Sequence, residues 1–155
     1  MIMNYLLRSF LMFAVCLLAG CLGMPNLGIV PITGDEEENV VITEKMRLFA
    51  SNESMALEIY NLADTSAKDV LLYEIRERGI YYWNENLKII DDIEKMNLPA
   101  DLKVRMGKLR EYCDLRIESY EFFCQVIQKG EKLSQHNEKL LKLNQAVEKV
   151  MDELK

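Results

Sequence analysis

Histidine occurs once in this chain, at His136, and proline only three times. After residue 40, glycine is confined to positions 79, 107 and 130, and proline to Pro99. Each scarcity excludes a class of chemistry. A nucleophile activated by histidine has to use His136, which sits in the polar stretch Ser134-Gln135-His136-Asn137 with no glycine-rich turn to hold a nucleophile. Zinc sites of cysteine and histidine need close ligand spacing, and none is present. The Cys-x-x-Cys-His haem-attachment motif is missing. The Glu-x-x-His pattern of di-iron bundles is missing too, because Leu133 stands three residues before His136. No glycine-rich phosphate loop occurs. Basic side chains are in the minority, 19 against 25 acidic, for a net charge of −6. Such a chain has no electrostatic reason to seek nucleic acid or anionic lipid. The expectation is a protein that is not an enzyme, with no cofactor, no metal and no nucleic-acid partner.

Charge is absent from one long run. Phe10 to Leu22 carries none, and Arg8 is the only charged side chain before it. A basic residue, an apolar stretch and then the small pair Ala19-Gly20 are the parts of an export signal. Leu18-Ala19-Gly20-Cys21 resembles the lipobox of bacterial lipoproteins. The resemblance implies a signal peptide over residues 1–20, cleavage before Cys21, and a diacylglyceryl group on the Cys21 thiol. A thiol suits thioether formation, and each buried methylene of an acyl chain contributes about 0.8 kcal/mol. Leu22 is not the Asp that retains enterobacterial lipoproteins at the inner membrane, so the resemblance favours an outer membrane facing the periplasm where the cell has two membranes, and the cell surface otherwise. The rival is a retained membrane span. Ser9 to Met24 is short of the roughly 20 apolar residues a span needs, although Met1 to Leu7 is also fairly apolar. Cys16, inside the apolar stretch, reads as a small hydrophobe. Removing residues 1–20 removes Arg8 alone among charges, so the mature body is one unit more negative than the whole chain.

Residues 21–40 read as a lipid-anchored flexible tether. Gly23, Pro25, Gly28, Pro31 and Gly34 discourage helix and central strand alike, and Asp35-Glu36-Glu37-Glu38 forms an acidic block. Consecutive carboxylates without a glycine turn do not make a calcium loop.

Residues 41–155 show apolar residues at three- and four-residue steps and no useful strand alternation. They read as an all-α, elongated antiparallel bundle of three to four helices. The first helix is expected from Val41 to Ala63, with Met46, Phe49, Ala50, Ala56, Ile59, Tyr60 and Ala63 on its stripe and Ser51-Asn52-Glu53-Ser54 as a polar interruption. Ser66 and Asp69 have capping-box spacing. The second helix is expected from Ala67 to Met96 on Leu71, Ile75, Tyr82, Ile89, Ile93 and Met96, widened by Val70, Trp83, Leu87 and Ile90. Asn97-Leu98-Pro99 stops it, with Pro99 at a first helical position. The third helix carries Leu102, Met106, Leu109, Cys113, Arg116, Tyr120, Phe123 and Ile127. Gly130 permits a turn. The fourth carries Leu133, Asn137, Leu140, Asn144, Val147, Met151 and Leu154. Folding about residues 97–98 pairs Ile93 with Leu102 and Tyr82 with Cys113; folding about Gly130 pairs Tyr120 with Leu140, Cys113 with Val147 and Arg116 with Asn144. Agreement between period and fold-back supports a bundle. An unbroken helix from Pro99 to Lys155, about 85 Å long, is the alternative.

Cys113 and Cys124 lie roughly 16 Å apart along one helix, too far for a mutual disulfide. Burial or an intermolecular bridge remains. Arg116, Asn137 and Asn144 on the stripe suggest a buried polar layer that fixes register. Tyr81-Tyr82-Trp83 cannot all face one core, and Tyr112 lies opposite. Tyr and Trp are enriched at binding surfaces, which marks Tyr81, Trp83 and Tyr112 as a candidate partner contact. Asn52-Glu53-Ser54 matches the glycosylation pattern, a chance match in most bacterial contexts. The functional expectation is a membrane-tethered envelope protein acting as an interaction or structural module, its partners the membrane through Cys21 and another envelope protein or a second copy. The alternatives are an immunity or inhibitor protein that neutralises a toxin or hydrolase, and a carrier of an apolar ligand or of haem held by His136 and a methionine.

Overall fold

A computed structural model describes residues 36–62 and 66–155. The expected signal peptide, Cys21 and residues 21–35 of the expected tether lie outside those residues. The described chain is an all-α bundle with no strand. α1 spans Glu36–Leu57 and ends in a 3₁₀ turn, Glu58–Asn61. α2 (Lys68–Tyr73), a π-helical segment (Glu74–Ile80) and α3 (Tyr81–Glu94) run on without leaving helical backbone angles. α4 spans Ala100–Lys129, and α5, after a 3₁₀ turn at Leu133–His136, spans Asn137–Leu154. At 30 residues α4 is about 45 Å long; α2, the π segment, α3 and α5 pack on it, while α1 packs chiefly on α3.

α1 starts five residues before the expected Val41, inside the stretch 21–40 expected as tether. The cause is the acidic block itself: Glu36, Glu37 and Glu38 fill the first turn, where negative charge suits the unsatisfied amide end of a helix. Nor does Ser51-Asn52-Glu53-Ser54 interrupt the helix. Asn52 is buried together with Ile42, Phe49, Ala56 and Tyr60, while Ala50, expected on the stripe, is exposed. The Ser66–Asp69 capping box does not form; Ala67 is the cap and no side chain closes it.

The two breaks follow proline and glycine. Leu98 is buried beside Pro99, the cap from which α4 begins. Gly130 has φ 70° and closes α4 with paired bonds, its own N–H donating to Ile127 and that of Glu131 to Val126, both at 3.1 Å. That is the Schellman arrangement, and it rules out an unbroken helix to Lys155. Arg105 donates to the Leu154 carbonyl at 2.9 Å, and Lys108 pairs with Glu153 at 2.6 Å. These contacts have the register that folding about Gly130 gives. Of the expected α5 stripe, Val147 is buried, Leu133, Leu140, Asn144, Met151 and Leu154 are half-buried, and only Asn137 is exposed; Leu143 and Val150, beside the stripe, are buried with it.

The main core runs from Ile42, Ile93, Met106 and Val150 at one end through Trp83, Tyr112 and Cys113 to Tyr60, Tyr120 and Cys124, and a smaller cluster of Phe122, Val126 and Leu143 joins α4 to α5. α1 lies antiparallel on α3, tied by Asn86 Nδ2 donating to the Phe49 carbonyl at 3.2 Å and by Lys45 with Asp92 at 2.9 Å. Among the described residues no helix is long and apolar enough to cross a membrane.

Candidate functional site

The aromatic trio expected to meet a partner divides between inside and outside. Trp83 is fully buried and Tyr112 nearly so; only Tyr81, 52 % exposed, reaches solvent. Trp83 falls on the core line four residues beyond Gly79 and eight beyond Ile75, and its ring meets Tyr112 edge-on with centroids 5.3 Å apart. Both rings are core, and the expected patch is corrected accordingly.

They belong to a buried polar cluster. Arg116 is buried, its guanidinium 5.2 Å from the Tyr112 ring centroid. The Tyr112 hydroxyl donates to Glu53 Oε1 at 2.6 Å, and the Tyr120 hydroxyl to the Ala56 carbonyl at 2.9 Å. Tyr60 packs edge-on against Tyr120, with centroids 5.9 Å apart. Loss of water pushes the Glu53 carboxyl above its ordinary range, against the Tyr112 hydrogen bond and the Arg116 charge, which pull it down. The guanidinium stays charged: burial works against it, and the facing Tyr112, Tyr60 and Tyr120 phenols favour it. The buried polar position expected of Arg116 is therefore present, and the phenols that face it come from α4 and the 3₁₀ turn at the end of α1; Asn137 of the expected layer is exposed. The cluster ties α1 to α4, and each of these hydrogen bonds is internal.

The remaining sequence-picked residues lie elsewhere. His136 sits at the α4–α5 turn with Nε2 2.7 Å from Glu131 and its ring edge-on to Phe122. Cys113 and Cys124 are buried free thiols, and burial is the first cause raising both above the usual thiol range. Asn52, the glycosylation-pattern residue, is buried. Among the described residues no group of three His, Cys, Asp or Glu side chains could hold a metal ion.

The accessible feature joins Tyr81, the one exposed member of the expected patch, to residues not expected at the surface. Val70-Leu71-Leu72-Tyr73 makes up most of α2, and no residue of α2 is buried. Val70 is 49 % exposed and Tyr73 60 %. Four successive apolar residues exceed what one helix face can bury, and that was the available signal. The π segment extends the feature. Its wider turn suits steps of four, which keep Ile75, Gly79 and Trp83 in line on the core. Two residues earlier, on the opposite side, Tyr73, Glu77 and Tyr81 take the same steps and are all exposed. The Tyr81 ring is braced edge-on by Tyr82, with centroids 5.3 Å apart. The result is a solvent-facing line of Val70, Tyr73, Glu77 and Tyr81 on a helix whose other side is locked into the core. No family model matches the chain, and neither a comparison with curated proteins nor one with solved structures finds a match.

Proposed function

We propose that this chain is a lipid-anchored protein of the bacterial cell envelope, held by acyl chains on Cys21, whose helical bundle is a protein-interaction module and not an enzyme. The anchor half rests on Leu18-Ala19-Gly20-Cys21 at the end of an uncharged stretch. A body of net negative charge gains nothing electrostatically from an anionic membrane, so attachment falls to the acyl chains. Leu22 in place of Asp favours the outer membrane, facing the periplasm, in a cell that has one.

The observation that carries the interaction half is the line of Val70, Tyr73 and Tyr81 in solvent. Scattered exposed apolar residues need no explanation, but aromatic side chains aligned on one rigid helix face are what binding surfaces are enriched in. The buried Arg116 cluster supports a structural role for the core, because its hydrogen bonds hold α1 to α4.

The experiment has two arms in living cells. A palmitate analogue should label the wild-type chain and not Cys21→Ala, and the variant should leave the membrane fraction; an unlabelled but membrane-bound variant would favour a retained span. A photo-crosslinking residue at position 73 or 81 should yield a discrete protein adduct, and one at the exposed Val104 of α4 should not. Absence of an adduct at both stripe positions would sink the interaction reading.

A further inference from the structure

A second group of exposed apolar side chains lies on α1, near the end where the chain enters it. Val41 is 38 % exposed, Leu48 53 % and Val40 64 %. Val41 and Leu48 are seven residues apart and so lie on nearly the same side of the helix, each one position before a core residue, Ile42 and Phe49. Val40 widens the line. The charges beside it are already matched: Glu44 holds Arg47 and Lys45 holds Asp92, both at 2.9 Å. The patch is therefore apolar, locally neutral and small. It falls far short of the roughly 20–30 residues a side in a stable interface between folded proteins. Its size suits a short stretch of peptide.

One such stretch is attached to it. Residues 27–32 precede α1 and lie outside the described residues; they carry no charge and include Leu27, Ile29, Val30 and Ile32. Along α1, Val41 stands about 8 Å and Leu48 about 18 Å from Glu36. Counted back from Asp35 at about 3.3 Å a residue, an extended chain puts Ile32 about 10 Å and Val30 about 17 Å away. The two series match when the chain reverses at Gly34, a residue with the backbone freedom for a sharp turn. Pro31 disfavours helical backbone angles at Val30, and in an extended chain Val30 and Ile32 face the same way.

We infer that residues 27–32 fold back along the start of α1 and cover it, with Ile32 on Val40 and Val41 and Val30 on Leu48. Connectivity decides the occupant. A segment joined to α1 through residues 33–35 alone is present at an effective concentration on the order of millimolar, so a contact too small to hold a separate protein holds this one. The inference goes beyond the interaction reading and does not depend on it, since Tyr73 and Tyr81 take no part. Its consequence falls on the anchor. With acyl chains on Cys21, docking leaves residues 22–26 as the free span, about 17 Å when extended, in place of about 50 Å for residues 21–35. The start of α1 is then held close to the membrane.

The test places a photo-crosslinking residue at position 48 of the full-length chain in the cell that makes it. Three backgrounds are compared: unaltered, Val30→Asn with Ile32→Asn, and Val30→Leu with Ile32→Leu. The expected product is an internal cross-link that keeps the mobility of the monomer, with peptide fragmentation placing the bond within residues 27–32. Its yield should fall at least fivefold in the asparagine pair and stay within twofold in the leucine pair. The same photo-crosslinking residue at position 141, an exposed leucine of α5, should give no bond to residues 27–32. A cross-link from position 48 to another protein, to a second copy or to lipid, no bond to residues 27–32, or a yield that ignores the asparagine pair would each overturn the inference. None of these outcomes touches the palmitate label on Cys21 or the adducts at positions 73 and 81, on which the proposed function stands. Circular dichroism and palmitate labelling of each background, expected to match the unaltered chain, keep fold and processing out of the comparison.

Discussion

The ring of Tyr120 occupies the place where a side chain on Gly79 would begin. A Cβ at Gly79 would stand 2.5 Å from Tyr120 Cε2 and 2.6 Å from Cδ2. Tyr120 cannot step aside: it is fully buried, packed on Tyr60 and Phe123, and its hydroxyl is fixed to the Ala56 carbonyl. Gly79 thus lets the π segment of the second helix and the middle of α4 approach closely. Gly79→Ala should therefore destabilise the bundle by about 1–3 kcal/mol, the usual range for overpacking a dense core, even though alanine is the better helix former. Denaturant unfolding measures it; a stabilised Gly79→Ala would show that the approach is not close.

Trp83 and Tyr81 sit two residues apart and should respond oppositely to truncation. Trp83 is fully buried, so Trp83→Ala should lose about 3–5 kcal/mol and with it the folded state or most of its stability. Tyr73→Ser and Tyr81→Ser remove exposed rings and should stay within about 0.5 kcal/mol of the parent. Thermal melts of the three variants decide it. Equal losses would mean that the tyrosine stripe is part of the core.

Much of the fold was legible because it rests on local signals that tertiary contacts do not overrule. Pro99 and Gly130 mark the two breaks for stereochemical reasons, and once both are placed the register of α4 on α5 follows, as Arg105 with Leu154 and Lys108 with Glu153 show. One source of the misreadings is helix phase, since the side a residue faces depends on it and the π segment carries no local signal. The π segment aligns Ile75, Gly79 and Trp83, which takes Trp83 inward and leaves Tyr81 outside. On α5 only Asn137 left the expected stripe: it stands at the first position after the 3₁₀ turn and lies in solvent, while Val147, Met151 and Leu154 pack on the core. Asn52 and Glu53 look like surface residues by type, yet each has a partner side: Asn52 is buried, and Glu53 accepts from Tyr112 on a distant helix. No periodicity argument finds a tertiary hydrogen bond. Val70 was assigned to the widened core stripe for the converse reason, since apolar residues at helical spacing go to the core by default, and Tyr73, off that stripe, was not placed.

The two cysteines of α4 should be inert in the native protein. Both are buried and unpaired, and burial pushes their thiols up, so the nucleophilic thiolate is scarce at neutral pH. Iodoacetamide at pH 8 should leave Cys113 and Cys124 unlabelled while the chain is folded and label both in denaturant, as located by mass spectrometry of tryptic peptides. Cys124 should yield first on partial unfolding, because its thiol sits nearer the α4 end and is less deeply enclosed than Cys113. Rapid native labelling, or a reductant-sensitive dimer on electrophoresis, would contradict this placement.

Glu53 gives the pH dependence a sign. Its carboxyl is raised in the folded state, first by loss of water, and returns to about 4.3 when the chain unfolds. Between those two values the native state holds the proton more tightly than the unfolded state, so unfolding free energy falls as pH rises through that interval. The Glu53 contribution is thus most favourable below the unfolded value and is lost as pH climbs to the raised one, the reverse of a carboxylate stabilised by an ion pair. Glu53→Gln keeps an acceptor for the Tyr112 hydroxyl without a charge to ionise. Urea unfolding of parent and variant from pH 4 to pH 7.5 should show the parent losing more stability across the range than Glu53→Gln, with the two curves parallel once the folded group is fully ionised. Parallel curves from pH 4 upward would mean that Glu53 is hydrated in the native state; a parent that gains stability with rising pH relative to the variant would mean that the Arg116 charge outweighs the loss of water.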